Sequence, residues 1–93
     1  MSSASPKDAS GSPKADRRIQ LFHAISDEGS AAARRLIVER GIGVHVRLRN
    51  VYYPEVEADL RAHGGGSTPA LWDGARLIEG AAAVLARLAE IRF

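Results

Sequence analysis

The spacing of hydrophobic positions predicts a strand and then a helix after residue 18. Ile19, Leu21 and Phe22 form a short apolar run, which is typical of a buried strand and would end near Ala24. Residues 26–30 are cap and turn residues, and residues 31–40 are predicted to form a helix that Gly41 ends. The buried helix face is expected to contain Ala33, Leu36, Ile37 and the stem of Arg40.

A second strand follows, with strict alternation of apolar and polar residues. Val44, Val46 and Leu48 are expected to form one buried face of a strand at a sheet edge. The intervening polar residues are His45, Arg47 and Arg49, which would point to the other side of the strand. They would either protect the sheet edge from pairing with other strands or form a basic patch with Arg34 and Arg35.

Apolar spacing and turn residues in the second half of the chain predict a helix, two strands and a final helix. Pro54 suits the first turn of a helix whose apolar positions are Val56 and Leu60. Residues 70–72 and 75–78 read as strands joined at Asp73-Gly74, a strong hairpin signal. Residues from Gly80 to about Ile91 are predicted to be helical, and their buried face contains Ala81, Val84, Leu85 and Leu88.

This order of elements indicates an α/β domain. A helix between the first two strands favours a parallel, right-handed crossover, and the hairpin makes the last two strands antiparallel. We therefore expect a mixed four-stranded sheet flanked by three helices.

Composition divides the chain into a tail and one domain. Residues 1–17 are rich in Ser, Ala, Pro, Gly and Lys, so we expect a disordered N-terminal tail, with the domain over residues 18–93. The net charge of +2 comes from residues 1–18, because residues 19–93 contain nine Arg against nine Asp and Glu. This balance argues against nucleic-acid binding.

The sequence of 93 residues contains no Cys, which excludes a disulfide, a thiolate metal site and a cysteine nucleophile. No apolar run reaches the roughly 20 residues of a membrane helix, and no signal-peptide pattern is present. We therefore expect a cytoplasmic protein that does not bind membranes. His23, His45 and His63 show no metal-ligand spacing, so no metal is expected.

Three dipeptide or tripeptide steps resemble those of a known superfamily. Thr68-Pro69, Asp73-Gly74 and Glu79-Gly80-Ala81 lie within residues 67–88, which resemble the C-terminal half of a glutaredoxin. The same residues are similar to the N-terminal domain of glutathione transferases, and residues 33–41 resemble the first helix of the superfamily. The resemblance implies a thioredoxin-like, glutaredoxin-like β-α-β-α-β-β-α fold.

The resemblance also implies a glutathione-like ligand site. Thr68-Pro69 would be a cis bond, and the backbone of Thr68 would pair with the cysteine of glutathione. The helix start at Gly80 and Ala81 would bind the glutamyl carboxylate, next to the negative charge of Glu79.

The Cys-x-x-Cys positions of the superfamily fall on residues that are not cysteines. Counting back from Gly41 places them on residues 27–30, from Asp27 to Ser30. A shift of one residue places Ser26 first, where some transferases use Ser to bind the glutathione thiol. Asp27 and Glu28 beside it disfavour a thiolate.

Three functions remain open at this stage. The first is a non-redox binding or adaptor module with a protein partner, without thiol–disulfide oxidoreductase activity. The second is a non-catalytic glutathione-binding protein, and the third is a transferase-like protein that uses Ser26. No cofactor is expected, although glutathione remains a candidate ligand, and we expect a monomer or a weak homodimer.

Tyr52 and Tyr53 precede the second helix and allow two interpretations. They could line a ligand groove, or one of them could pack as a hydrophobic staple at the start of the helix. The staple is the favoured interpretation.

Overall fold

The described part of the chain forms four strands and three helices in the order that the sequence predicts. This computed structural model describes residues 18–93, and the tail predicted for residues 1–17 lies outside them. The elements are β1 (Ile19–His23), α1 (Glu28–Arg40), β2 (Val46–Asn50), α2 (Pro54–Ala62), β3 (Ala70–Trp72), β4 (Leu77–Glu79) and α3 (Ala81–Glu90). A short 3-10 turn, Gly43–His45, precedes β2.

The strands form one mixed sheet in the order β2-β1-β3-β4. β1 and β2 are parallel, with Leu21 opposite Leu48. β1 and β3 are antiparallel, as are β3 and β4, and Leu71 pairs with Leu21 on one side and Ile78 on the other. The predicted mixed sheet of four strands with three helices is confirmed.

Each face of the sheet has its own hydrophobic core. Leu21 and Leu71 face α1 and α3 within the larger cluster, whereas Phe22 and Ala70 pack with α2 in the smaller one. Burial of a large apolar side chain such as Phe22 contributes roughly 1.5–3 kcal/mol to folding. The α1 and α2 faces predicted from the spacing are confirmed, since their buried residues include Ala33, Ile37, Val56 and Leu60.

Both ends of α1 follow from local chemistry. The helix begins at Glu28 rather than at residue 31, because Asp27 already has the extended backbone of an N-cap residue. Gly41 ends it in the left-handed conformation (φ 66°), and the Ile42 N–H donates to the carbonyl of Ile37. Arg40 Nη1 donates to the carbonyls of Leu88 and Ile91 at 2.7 and 2.9 Å, which ties α1 to the end of α3.

The apolar face predicted for β2 is only partly buried. Val44 lies in the 3-10 turn and is 77% exposed, and Leu48 is 48% exposed, so only Val46 of the three is buried. β2 is an edge strand, as predicted, and Leu48 lies at the margin of the sheet, beyond the larger core cluster.

The Arg49 side chain covers the smaller core cluster, contrary to its expected role as an exposed edge residue. Its guanidinium lies 5.5 Å from the centre of the Phe22 ring. Nη1 donates to Gln20 Oε1 and Nη2 to Asp59 Oδ2, both at 2.6 Å. Arg49 therefore joins β2, β1 and α2.

The turn between β3 and β4 is longer than a two-residue hairpin. Asp73 Oδ1 accepts hydrogen bonds from the N–H groups of Ala75 and Arg76, so β4 begins at Leu77 rather than at Ala75. These bonds, that from Arg76 first, lower the pKa of the Asp73 carboxyl. Trp72 is half-buried against the smaller core cluster, and the centre of its ring lies 4.1 Å from that of the stacked His63 ring.

Candidate functional site

The starts of α1 and α3 meet the segment that leads into β3. The Thr68-Pro69 bond is cis, as expected from the resemblance, and Pro69 is fully buried. A Cβ atom at Gly29 would lie 2.9 Å from Ala81 Cβ and 3.0 Å from Pro69 Cδ. Glycine at position 29 therefore allows the first turn of α1 to approach Pro69 and Ala81 closely.

A hydrogen-bond network at this junction centres on Asp27. Its Oδ2 atom accepts hydrogen bonds from the Ser30 hydroxyl at 2.8 Å and the Thr68 hydroxyl at 3.2 Å. Ser30 is fully buried, and its Oγ atom also accepts the Ala24 N–H at 3.0 Å. The Ser30 hydroxyl, assisted by Thr68 and by the N–H groups of Gly29 and Ser30, lowers the pKa of the Asp27 carboxyl.

Asp27 and Ser30 occupy the two ends of the Cys-x-x-Cys window that the sequence count gives. The ionised Asp27 carboxylate only accepts hydrogen bonds, and the Ser30 hydroxyl is already bonded on both its donor and its acceptor side. Neither group supplies a thiol, so this arrangement cannot form a disulfide.

Glu79 holds the segment before Thr68. Its Oε2 atom accepts hydrogen bonds from the N–H groups of Gly66 and Ser67 at 2.9 and 3.1 Å and from the Ser67 hydroxyl at 3.1 Å. These bonds, that from Gly66 first, lower the pKa of the Glu79 carboxyl. Gly80 follows as the N-cap residue of α3 with φ 95°, a conformation that favours glycine.

Ser26 directly precedes Asp27 in the chain. It is exposed in the turn after β1 and lines an open groove of about 430 Å³. The other lining residues are Ala24, Ile25, Asn50, Val51 and Tyr52. The structure thus brings Thr68, Pro69 and Ala81 together, keeps Glu79 on the Gly66–Ser67 backbone, and places Ser26 on the groove.

The favoured interpretation of the tyrosine pair is wrong. Tyr52 is 86% exposed and Tyr53, the N-cap residue of α2, is 56% exposed, so neither is buried as a staple at the helix start. Tyr52 instead lines the groove, which was the alternative interpretation.

Sequence reasoning did not identify two polar residues near the site. Asp27 was noted only for its position and its charge, although it is the centre of the network. His23 is buried, its Nδ1 atom lies 3.0 Å from Arg34 Nη1, and Arg34 also donates to the Ala24 carbonyl at 3.3 Å. Burial, with the positive charge of Arg34, lowers the pKa of His23.

Residues 18–93 contain no group of three or more His, Asp or Glu side chains placed to hold a metal ion. Within the same residues, no helix has the length and apolar character needed to cross a membrane. Comparison with models of protein families, with curated proteins and with solved structures finds no match to this chain.

Proposed function

We propose that this chain is a thioredoxin-like domain that acts as a non-redox binding or adaptor module. Several features of the fold support the thioredoxin-like assignment. A parallel β1–α1–β2 unit is followed by an antiparallel β3–β4 pair, with α1 and α3 on one face of the sheet and α2 on the other. A cis proline precedes β3 and faces the start of α1.

One observation carries the functional part of the proposal. By the count from Gly41, Asp27 and Ser30 take the positions of the two thiols of such a domain, and the Asp27 carboxylate accepts hydrogen bonds from the Ser30 and Thr68 hydroxyls. With no Cys in the sequence, the scaffold has no group that cycles between thiol and disulfide. A cleft that is bonded internally and lacks a redox-active group supports a role in recognition.

A second candidate function is glutathione binding without catalysis. The uncapped start of α3 supports it, because Ala82 and Ala83 are exposed and helix N-termini favour carboxylates. The Thr68 backbone, Gly80 and Ala81 would form the site. Glu28 and Glu79, both exposed near these helix starts, place negative charge against an anionic ligand.

A transferase-like role for Ser26 has weaker support. The hydroxyl lies in an exposed turn, and Asp27 and Glu28 follow directly. Two carboxylates beside a bound thiol raise its pKa and reduce the thiolate fraction.

Two measurements test these functions. We expect the protein to show no glutathione-dependent disulfide reduction above a blank, whereas the Asp27→Cys/Ser30→Cys variant should gain measurable turnover. Turnover by the unaltered protein would overturn the proposal.

Titration of isotope-labelled protein with reduced glutathione tests the second candidate function. It should leave the amide spectrum of the protein unchanged. Saturable shifts confined to residues 26–30, 68 and 80–82 would instead support glutathione binding.

A further inference from the structure

His23, the last residue of β1, is buried beside Arg34 of α1. Its Nδ1 atom lies 3.0 Å from Arg34 Nη1. Because a guanidinium group has N–H donors and no acceptor, Nδ1 accepts this hydrogen bond, and the His23 ring is the neutral tautomer with its proton on Nε2. Only 6% of His23 is exposed, so burial and Arg34 both oppose a positive charge on the ring.

The same Arg34 atom holds the turn that follows β1. Nη1 also donates to the Ala24 carbonyl at 3.3 Å. A second N–H group, that of Asp27, lies 3.4 Å from this carbonyl, which is beyond the usual length of such a bond. The charge-assisted bond from Arg34 therefore contributes much of what ties the turn to α1.

Ala24 connects this pair to the polar network at the starts of α1 and β3. Its N–H group donates to Ser30 Oγ at 3.0 Å, and the Ser30 hydroxyl donates to Asp27 Oδ2 at 2.8 Å. The same carboxylate oxygen accepts the Thr68 hydroxyl at 3.2 Å. Hydrogen bonds thus link the His23 ring to the candidate site, through residues on three separate segments.

The charge that acts on His23 comes from α1. The β2 residue paired with His23 is Asn50, and the residue before β3 is Pro69, and neither carries a charge. The Asp27 carboxylate at the start of α1 accepts hydrogen bonds from two hydroxyl groups. Protonation of His23 would therefore put a positive charge on a ring whose Nδ1 atom is 3.0 Å from the Arg34 guanidinium.

We propose that His23 and Arg34 form a pH-sensitive latch on the turn of residues 24–27. With the ring neutral, Nδ1 accepts Arg34 Nη1 and the latch is closed. When the ring takes a proton from solvent, Nδ1 becomes a donor, and the half-buried guanidinium leaves both the ring and the Ala24 carbonyl. The turn is then released from α1, and the polar network loosens with it. This inference goes beyond the proposed function, because it holds whatever the cleft binds.

A pH titration of the isotope-labelled full chain, followed by nuclear magnetic resonance from about pH 7.5 to about pH 5, tests the latch. The network amides, defined as those of Ser30 and Thr68, should shift with the same midpoint as the His23 ring, below 6.5. After correction for the intrinsic effect of pH, the Ala24 amide should exchange with solvent about tenfold faster at the low end. The amide of Leu71 in the core should not shift, which distinguishes release of the turn from unfolding of the domain.

Three variants separate the two members of the latch. His23→Gln keeps an acceptor for Arg34 but does not titrate, so the network amides should not shift across this range. Arg34→Met removes the donor, so the Ala24 amide should exchange about tenfold faster already at about pH 7.5, and the pKa of His23 should rise toward 6.5. His45→Gln changes an exposed histidine at the opposite end of the β1–β2 pair and should leave the titration unchanged.

Several results would overturn the latch. They are network amides that do not follow the midpoint of the His23 ring, the same shifts in the His23→Gln variant, or a shift of Leu71 together with the turn. If His23→Gln does not fold, Arg34→Met still decides, because an unchanged exchange rate at Ala24 would show that Arg34 does not hold the turn. Disulfide-reduction turnover by the unaltered protein would remove the proposed function and leave the latch standing.

Discussion

The Thr68 hydroxyl donates a hydrogen bond to Asp27 Oδ2 at 3.2 Å, across 41 positions of sequence. This bond joins the residue before the cis proline to the N-cap residue of α1. Because Ser30 donates to the same oxygen, one carboxylate fixes the start of α1 relative to the entry into β3. The position of the start of α1 relative to β3 therefore depends on the side chains of Asp27, Ser30 and Thr68.

A double-mutant cycle between Asp27 and Thr68 measures this connection. Asp27→Ala and Thr68→Val should each lower the free energy of unfolding by about 0.5–3 kcal/mol, because each removes a partly buried hydrogen bond to a charged group. The double variant should lose less stability than the sum of the two single losses, and the difference should be about 0.5 kcal/mol or more. Thr68→Ser keeps the hydroxyl and should keep most of the coupling; additive losses in denaturant titrations would contradict the network.

Gly29 is predicted to tolerate no side chain. Gly29→Ala would raise helix propensity by about 1 kcal/mol, yet its Cβ would lie 2.9 Å from Ala81 Cβ and 3.0 Å from Pro69 Cδ. We expect net destabilisation of about 1–3 kcal/mol from overpacking, measured by urea unfolding. Gly43→Ala is the control, since its Cβ would come no closer than 4.0 Å to Ile37 Cγ2. A stabilised Gly29→Ala variant would show that the two helix starts are farther apart.

His23 should make folding stability depend on pH. Burial and Arg34 hold the pKa of His23 below its usual 6.5, so the unfolded chain takes up a proton first as the pH falls. The stabilising effect of neutral His23 is complete above pH 6.5 and is lost progressively as the pH falls from there toward the lower pKa of the folded state.

Urea midpoints measured between about pH 8 and pH 5 test this prediction. His23→Gln should flatten the decline over that interval. The carboxyls of Asp27, Asp73 and Glu79, whose pKa values are lowered from 3.8 for Asp and 4.5 for Glu, contribute stability that is lost only at lower pH. An unchanged slope in the variant would assign the decline to other groups.

Arg40 is predicted to stabilise the end of α3. Its Nη1 atom donates to two carbonyls, those of Leu88 and Ile91, which the helix itself leaves without amide partners. Arg40→Ala should reduce the free energy of unfolding by about 1.5–3 kcal/mol, as measured by chemical denaturation. Arg35→Ala, an exposed change in the same helix, should cost less than about 0.5 kcal/mol. Equal losses would show that the Arg40 bonds add nothing.

The order of elements could be predicted because its signals are local. Gly41, Pro54 and the alternation of apolar and polar spacing identify helices and strands within a few residues. The exposure of Val44 and Leu48 could not be predicted, because it depends on which parts of the sheet the helices cover. Likewise, only the pairing of β1 with β2 shows that Arg49 lies opposite Phe22.

The candidate site was predicted less completely than the fold. The Thr68-Pro69 step and the start of α3 were recognised from short motifs, and the cis bond is present. An acidic residue before a helix is explained equally well by the helix dipole, so no local pattern indicates that Asp27 bonds to Thr68. The groove is formed by two loops distant in sequence, each too short to carry a motif of its own.

β1 is paired on both sides, with β2 on one and β3 on the other. During synthesis β1 leaves the ribosome well before β3, so a nascent chain that ends after β2 exposes one full edge of its central strand. Unpaired strand edges of this kind recruit other chains. Until the segment that follows Pro69 has emerged, the half-made domain is open to association with its neighbours on a polysome.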